Sequence, residues 1–144
     1  MKTFHIIASA LLLLAVSALT PAMADISRAA FTTAIEGREP VDQLTQLGND
    51  KTGVYFFTEI TGMSGHTITH RWEFGGETRF EISFSVGADR WRVWSNKVMA
   101  PEMTGEWKVV VLDEAGFILR TEILNYVAAA APAEAVPVPA PAAQ

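Results

Sequence analysis

One stretch of this chain leaves little freedom of fold. Between Arg79 and Val86 the residues alternate with period two: Phe80, Ile82, Phe84 and Val86 fall on one side, and Arg79, Glu81, Ser83 and Ser85 on the other. Successive side chains of a strand point to opposite faces, so this pattern specifies a half-buried antiparallel strand. The runs on either side read the same way. His66, Ile68, His70, Trp72 and Phe74 share a face, with Thr67, Thr69, Arg71 and Glu73 opposite. Further on, Trp91 and Val93 stand together, with Arg92, Trp94 and Asn96 on the reverse side. Gly75-Gly76 separates the first two runs and supplies the φ > 0 that a tight hairpin requires.

Four more strands follow from the same reading. Ile26 to Ile35 predicts a first strand, with Ala29, Phe31, Thr33 and Ile35 on one side. Gly53 to Ile60 is an aromatic strand, Gly105 to Leu112 places Trp107, Val109 and Val111 on one face, and Phe117 to Tyr126 is the last. Between the first two lies a long polar connection, Glu36 to Lys51, in which Val41 to Leu47 allows one helical turn at most. About seven short strands separated by turn signals predict an all-β fold, an immunoglobulin-like antiparallel β-sandwich, with a small β-barrel as the alternative.

The ends of the chain read differently. Lys2 precedes an apolar run from Ile6 to Leu19, and Ala22-Met23-Ala24 has the small-residue pattern of a cleavage site. Residues 1–24 are therefore expected to be a signal peptide, with a domain over 25–127 and an Ala/Pro-rich, disordered tail over 128–144. The apolar run is short for a bilayer span, so no integral membrane span is expected after cleavage. Cleavage removes Lys2 and no acidic residue, taking the formal charge from −5 to about −6. An acidic chain lacks the basic patch that a phosphate backbone rewards, which argues against nucleic acid. There is no cysteine, which excludes disulfides, thiol catalysis and Cys-type zinc sites. The expected location is periplasmic or secreted.

Several spaced motifs then come together: Phe57-Thr58-Glu59-Ile60-x-Gly62, Thr69-His70-Arg71-Trp72, the run Arg90 to Lys97, and Gly105-Glu106-Trp107-Lys108-Val109 followed by Asp113 and Gly116. In these the chain resembles a bacterial family called domain of unknown function 2914, over roughly Ile26 to Tyr126. The resemblance implies an extracytoplasmic sheet module, sometimes joined to other domains. It implies no reaction and carries over no site residue.

Candidate chemistry is sparse. His66 and His70 would share a metal on a helix, but on a strand they lie about 13 Å apart, too far for one ion. His70 is expected to be structural, lodged beside Trp72 with its ring nitrogens hydrogen-bonded, and His66 to be exposed near a turn. Glu36, Glu39, Asp42, Asn49 and Asp50 offer oxygen ligands for calcium, yet their spacing fits no EF-hand loop. Glu59 and Glu73, read as lying on neighbouring outward-facing strands, are the nearest approach to a glycosidase pair. Ser83, Ser85 and Ser95 lack a nucleophile elbow. No catalytic residue, metal ligand or cofactor is assigned.

The strip Arg90, Arg92, Trp94 and Asn96 is the candidate ligand-binding site. A tryptophan face flanked by guanidinium and amide groups suits a sugar ring or a peptide. The competing expectation covers Trp94 with the Met99–Pro101 loop and pairs the arginines with Glu81 or Glu106. The function expected is a non-catalytic binding module for an envelope protein or a glycan. An enzyme with a sheet-lined His/Glu site and an accessory or spacer domain are the alternatives. An enzyme would need His70 and a carboxylate converging in a pocket.

Overall fold

A computed structural model describes residues 25–130; the expected signal peptide, and the part of the expected tail from residue 131 onward, lie outside the described residues. The strands are β1 (Asp25–Thr32), β2 (Ile35–Glu36), β3 (Glu39–Pro40), β4 (Gln46–Gly48), β5 (Gly53–Thr61), β6 (Thr67–Phe74), β7 (Glu77–Ser85), β8 (Arg90–Val98), β9 (Gly105–Asp113) and β10 (Ile118–Val127). No helix occurs among the described residues. The seven long strands are the seven read from the sequence.

They form two facing sheets. One has three strands in the order β1-β5-β8, and the other has five in the order β4-β10-β9-β6-β7. Along the chain, β6–β7 and β9–β10 are hairpins within a sheet, while β5–β6, β7–β8 and β8–β9 cross between the sheets, the Greek-key arrangement of an immunoglobulin-like sandwich. Among the described residues, β7 and β8 each have a strand on one side only, so neither sheet closes, and the barrel alternative falls.

Alternation builds the core. Val54, Phe56, Thr58 and Ile60 of β5 face Ile68, His70 and Trp72 of β6 and Val109 and Val111 of β9, all essentially without exposure. Phe31 packs at a tilt against Phe56 and meets Trp72 edge-on, with centroids 5.0 and 5.7 Å apart. Trp107 is buried and donates its indole N–H to the Met103 carbonyl at 3.0 Å. Burying such large aromatic side chains supplies much of the stabilisation of a domain this small. Gly75 and Gly76 turn β6 into β7 with φ of 62° and 78°, as expected of a two-residue hairpin loop.

The polar connection departs from expectation. No helical turn forms over Val41 to Leu47; Gln46–Gly48 pairs in parallel with Asn125–Val127 of β10. Leu44 bridges Phe31 at the edge of β1. Just before this, β2 and β3 make a small hairpin turning through Gly37 and Arg38, both with positive φ. β1 itself ends at Thr32 and carries an irregularity between Ile26 and Arg28, so Ala29 and Phe31 keep a common core face while Thr33 and Ile35 lie beyond the strand.

Candidate functional site

β8 pairs with β5 without any register shift, from Thr61 opposite Arg90 to Gly53 opposite Val98. Faces therefore fall as the alternation dictates. Val93 and Ser95 are buried, and Trp91 packs against the core. Gly87 makes room for that indole, since a Cβ there would lie 2.9 Å from the Trp91 ring. Arg90, Arg92, Trp94 and Asn96 share the outer face.

The two arginines on this strip are held by carboxylates other than Glu81 and Glu106. Arg90 and Arg92 both donate to Oε2 of Glu59, each at 2.9 Å. Glu59 sits opposite Arg92 on β5 and is only 5% exposed. Ser27 donates to its other oxygen at 3.3 Å, and Arg28 approaches Oε2 at 3.7 Å. Burial pushes the Glu59 carboxyl up, but the hydrogen bonds from Arg92 and Arg90 outweigh it and hold the group below its usual range. Glu39, from the β2–β3 hairpin, completes the cluster by reaching Arg28 at 2.8 Å and Arg92 at 3.0 Å. Glu81 instead pairs with Arg71. The guanidinium groups thus form a braced network under the hairpin, with Arg90 the most exposed of them, its side chain at 64%.

Trp94 is half-buried and outside this network. With Phe84, Arg92 and Val93 it lines a shallow hollow of about 190 Å³ where the edges of the two sheets meet. Asn96, two residues on, is exposed. Beside the hollow, Phe80 and Ile82 of β7 are each 37% exposed. Their face is the one that alternation marks as apolar, but the three-stranded sheet is too narrow to cover it. The signal that finds them is topological: in a sandwich of this order the fourth long strand is an edge. A larger hollow of about 300 Å³ lies at the β6–β7 turn, lined by Glu73, Glu106, Lys108 and glycines around Phe74. It sets the charged groups of Glu73, Glu106 and Lys108 beside apolar surface, whereas the lining at Trp94 is largely apolar.

His70 has no exposure at all. Its Nε2 lies 3.0 Å from the Thr58 hydroxyl and its Nδ1 2.9 Å from that of Ser95, which also accepts from the Trp72 indole at 3.0 Å. Either neutral tautomer uses one hydroxyl as donor and the other as acceptor, whereas an imidazolium would face two acceptors in an apolar interior. Burial lowers its pKa to about 3. Among the described residues no carboxylate bonds this ring, and Ser95 is itself buried. His66 is exposed and pairs with Glu114. Glu59 and Glu73 stand on different sheets, not on neighbouring strands. Asp42 binds Thr32 and Thr33, and Asn49 the Pro101 carbonyl and the Ala129 amide, so these members of the acidic connection fasten the chain to itself. No group of three or more His, Asp or Glu positioned to hold a metal occurs among the described residues.

Residues 65–123 match the model of a family described as "Protein of unknown function (DUF2914)", which bears out the resemblance in the sequence. The matched stretch contains β6, β7, β8 and β9 and enters β10. No curated protein matches the chain.

Proposed function

We propose that this chain, matched to DUF2914 over the strands that form its open side, is a non-catalytic binding module of the cell envelope. The observation that carries the reading is the hollow at Trp94. An aromatic face stays partly open between two strand edges that are unpaired among the described residues, next to the partly exposed Phe80 and Ile82. Contiguous apolar surface rimmed by charge is what a partner-binding patch presents. Preorganisation supports the same reading. Glu59 and Glu39 fix Arg92 beside the indole, so a ligand meeting this edge finds its guanidinium already ordered. Export to the periplasm or beyond is part of the proposal and rests on the leader-like residues 1–24. An envelope protein suits the apolar edge better than a glycan does, because free strand edges offer backbone donors and acceptors to a polypeptide.

The test compares the parent with Trp94→Ala against a fractionated envelope extract and a glycan array. The expected result is binding weakened by about 2 kcal/mol or more, a hot-spot magnitude, with melting nearly unchanged. A Trp94→Ala protein that binds its partner with parental affinity would remove the proposal. Selective retention of glycans instead of protein would move the partner to the other class.

A further inference from the structure

Among the described residues, β7 is bonded on one side only, to β6. Its regular part runs from Phe80 to Ser85. Arg79 is an extra residue, because Trp72 faces Phe80 while the next residue, Glu73, faces Thr78. A free edge is a template for another strand, and native proteins blunt such edges with proline, lysine, inward charges, bulges or a covering segment. From Phe80 to Ser85 there is no proline and no lysine, and the inward positions are Phe80, Ile82 and Phe84. The bulge at Arg79 blunts only the end next to the turn.

We propose that this edge pairs with the same edge of a second copy of the chain, antiparallel, about a two-fold axis at Ile82. The pattern of side chains is what selects a copy of itself as the occupant. Directly opposite residues of an antiparallel pair point to one face, so the axis must run between a residue and its own symmetry mate. An axis at Glu81 sets two glutamates directly opposite each other, which is destabilising. An axis at Ser83 places Phe80 opposite the partner's Val86, which lies past the end of β7 and is turned into its own core. An axis at Ile82 fits throughout. Phe80 meets the partner's Phe84, Ile82 meets its own symmetry mate, and Glu81 meets the hydroxyl of the partner's Ser83. Glu81 is already neutralised by Arg71 within its own chain, so no unpaired charge enters the interface. Two five-stranded sheets then become one of ten strands. The apolar residues of both β7 strands form the floor of a trough, and the two β8 edges, each with its Trp94 hollow, form the walls. The pairing stands independently of what Trp94 contacts.

Sedimentation equilibrium of the purified protein tests it, read with two kinds of variant. The parent should show a concentration-dependent monomer–dimer equilibrium. Ile82→Lys sets two ammonium groups at the axis and should weaken dimerisation at least tenfold, with the melting temperature within a few degrees of the parent because Ile82 is partly exposed. The chain has no cysteine, so single cysteines report the register cleanly. Ile82→Cys should oxidise to a linked dimer and Ser83→Cys should not, since only residue 82 would sit opposite itself within the Cα spacing a disulfide accepts. A parent that stays monomeric at every concentration, whether or not it takes up some other strand, overturns the proposal. So does an Ile82→Lys dimer as tight as the parent's, or preferential linking at Ser83→Cys.

Discussion

The sandwich has two flanks built from the same kind of strand, and they end in opposite ways. On one, the β1 edge is bridged by Leu44 and the β10 edge is lengthened by β4. Phe31, next to that edge, is 2% exposed. On the other, β7 and β8 end in backbone that is unpaired among the described residues, and Phe80 is 37% exposed. Strand composition does not explain the difference, since both phenylalanines lie on core-facing sides of alternating strands. The connections do. Between β1 and β5 the chain runs through two short strands, a bridge and β4 before returning, whereas β7 reaches β8 through Val86 to Asp89 alone. A long connection here is a cover, and a short one leaves a surface.

One substitution made on both flanks should separate them most sharply. Phe31→Ala should cost about 3–5 kcal/mol, the usual penalty for emptying a buried aromatic site. Phe80→Ala should cost less than about 1 kcal/mol, as at partly exposed positions. Denaturant midpoints that fall equally for the two would show that the flanks are equally packed.

Acid sharpens the comparison one strand in from the open flank. His70 has its folded pKa lowered to about 3, against an ordinary value near 6.5. Its contribution is present in full above pH 6.5. As the pH falls from there toward 3, the unfolded chain takes up a proton that the folded one refuses, and stability is lost. Between pH 6.5 and 4 the loss should reach roughly 3 kcal/mol. Replacing His70 by Leu should flatten the dependence of stability on pH over that window; an unchanged slope would place the proton uptake elsewhere.

The smallest of these effects tests the closure itself. Asp42 accepts from the Thr32 hydroxyl at 2.7 Å and from the Thr33 amide and hydroxyl at 2.8 and 2.6 Å. Burial raises its pKa, but these bonds outweigh it and leave the carboxyl below its ordinary value. Asp42→Ala should cost about 1–2 kcal/mol. It should also speed amide exchange in residues 33–48 while leaving β7 and β8 unchanged. Exchange that rises equally on both flanks would mean that the segment is no independent cover.

What the sequence made legible was local. Period two placed the seven long strands, set Trp91 and Val93 inward against Arg92 and Trp94 outward, and put His70 beside Trp72 in the interior. The rest depends on contacts between distant residues. Alternation shows that Phe80, Ile82 and Phe84 share a face, but not that the facing sheet is three strands wide and stops short of them. Glu59 looked like an outward carboxylate beside Glu73; its burial follows from arginines on β1 and β8 and from a hairpin that reaches across. The parallel pairing of β4 left no signal, because three residues have no period to read.

The three-residue β4 also bears on how the molecule carries load. Asp25 lies at one end of the sandwich, opposite Thr61, and Val127 at the other, beside Asn49. Tension applied through these two points runs along the strands. β1 against β5, β10 against β9, and the parallel patch joining β4 to β10 are then strained in shear, with their rungs sharing the force at once. Peeling from a hairpin end would break rungs one after another. The geometry that hides one flank from solvent therefore also makes the domain stiff along its long axis.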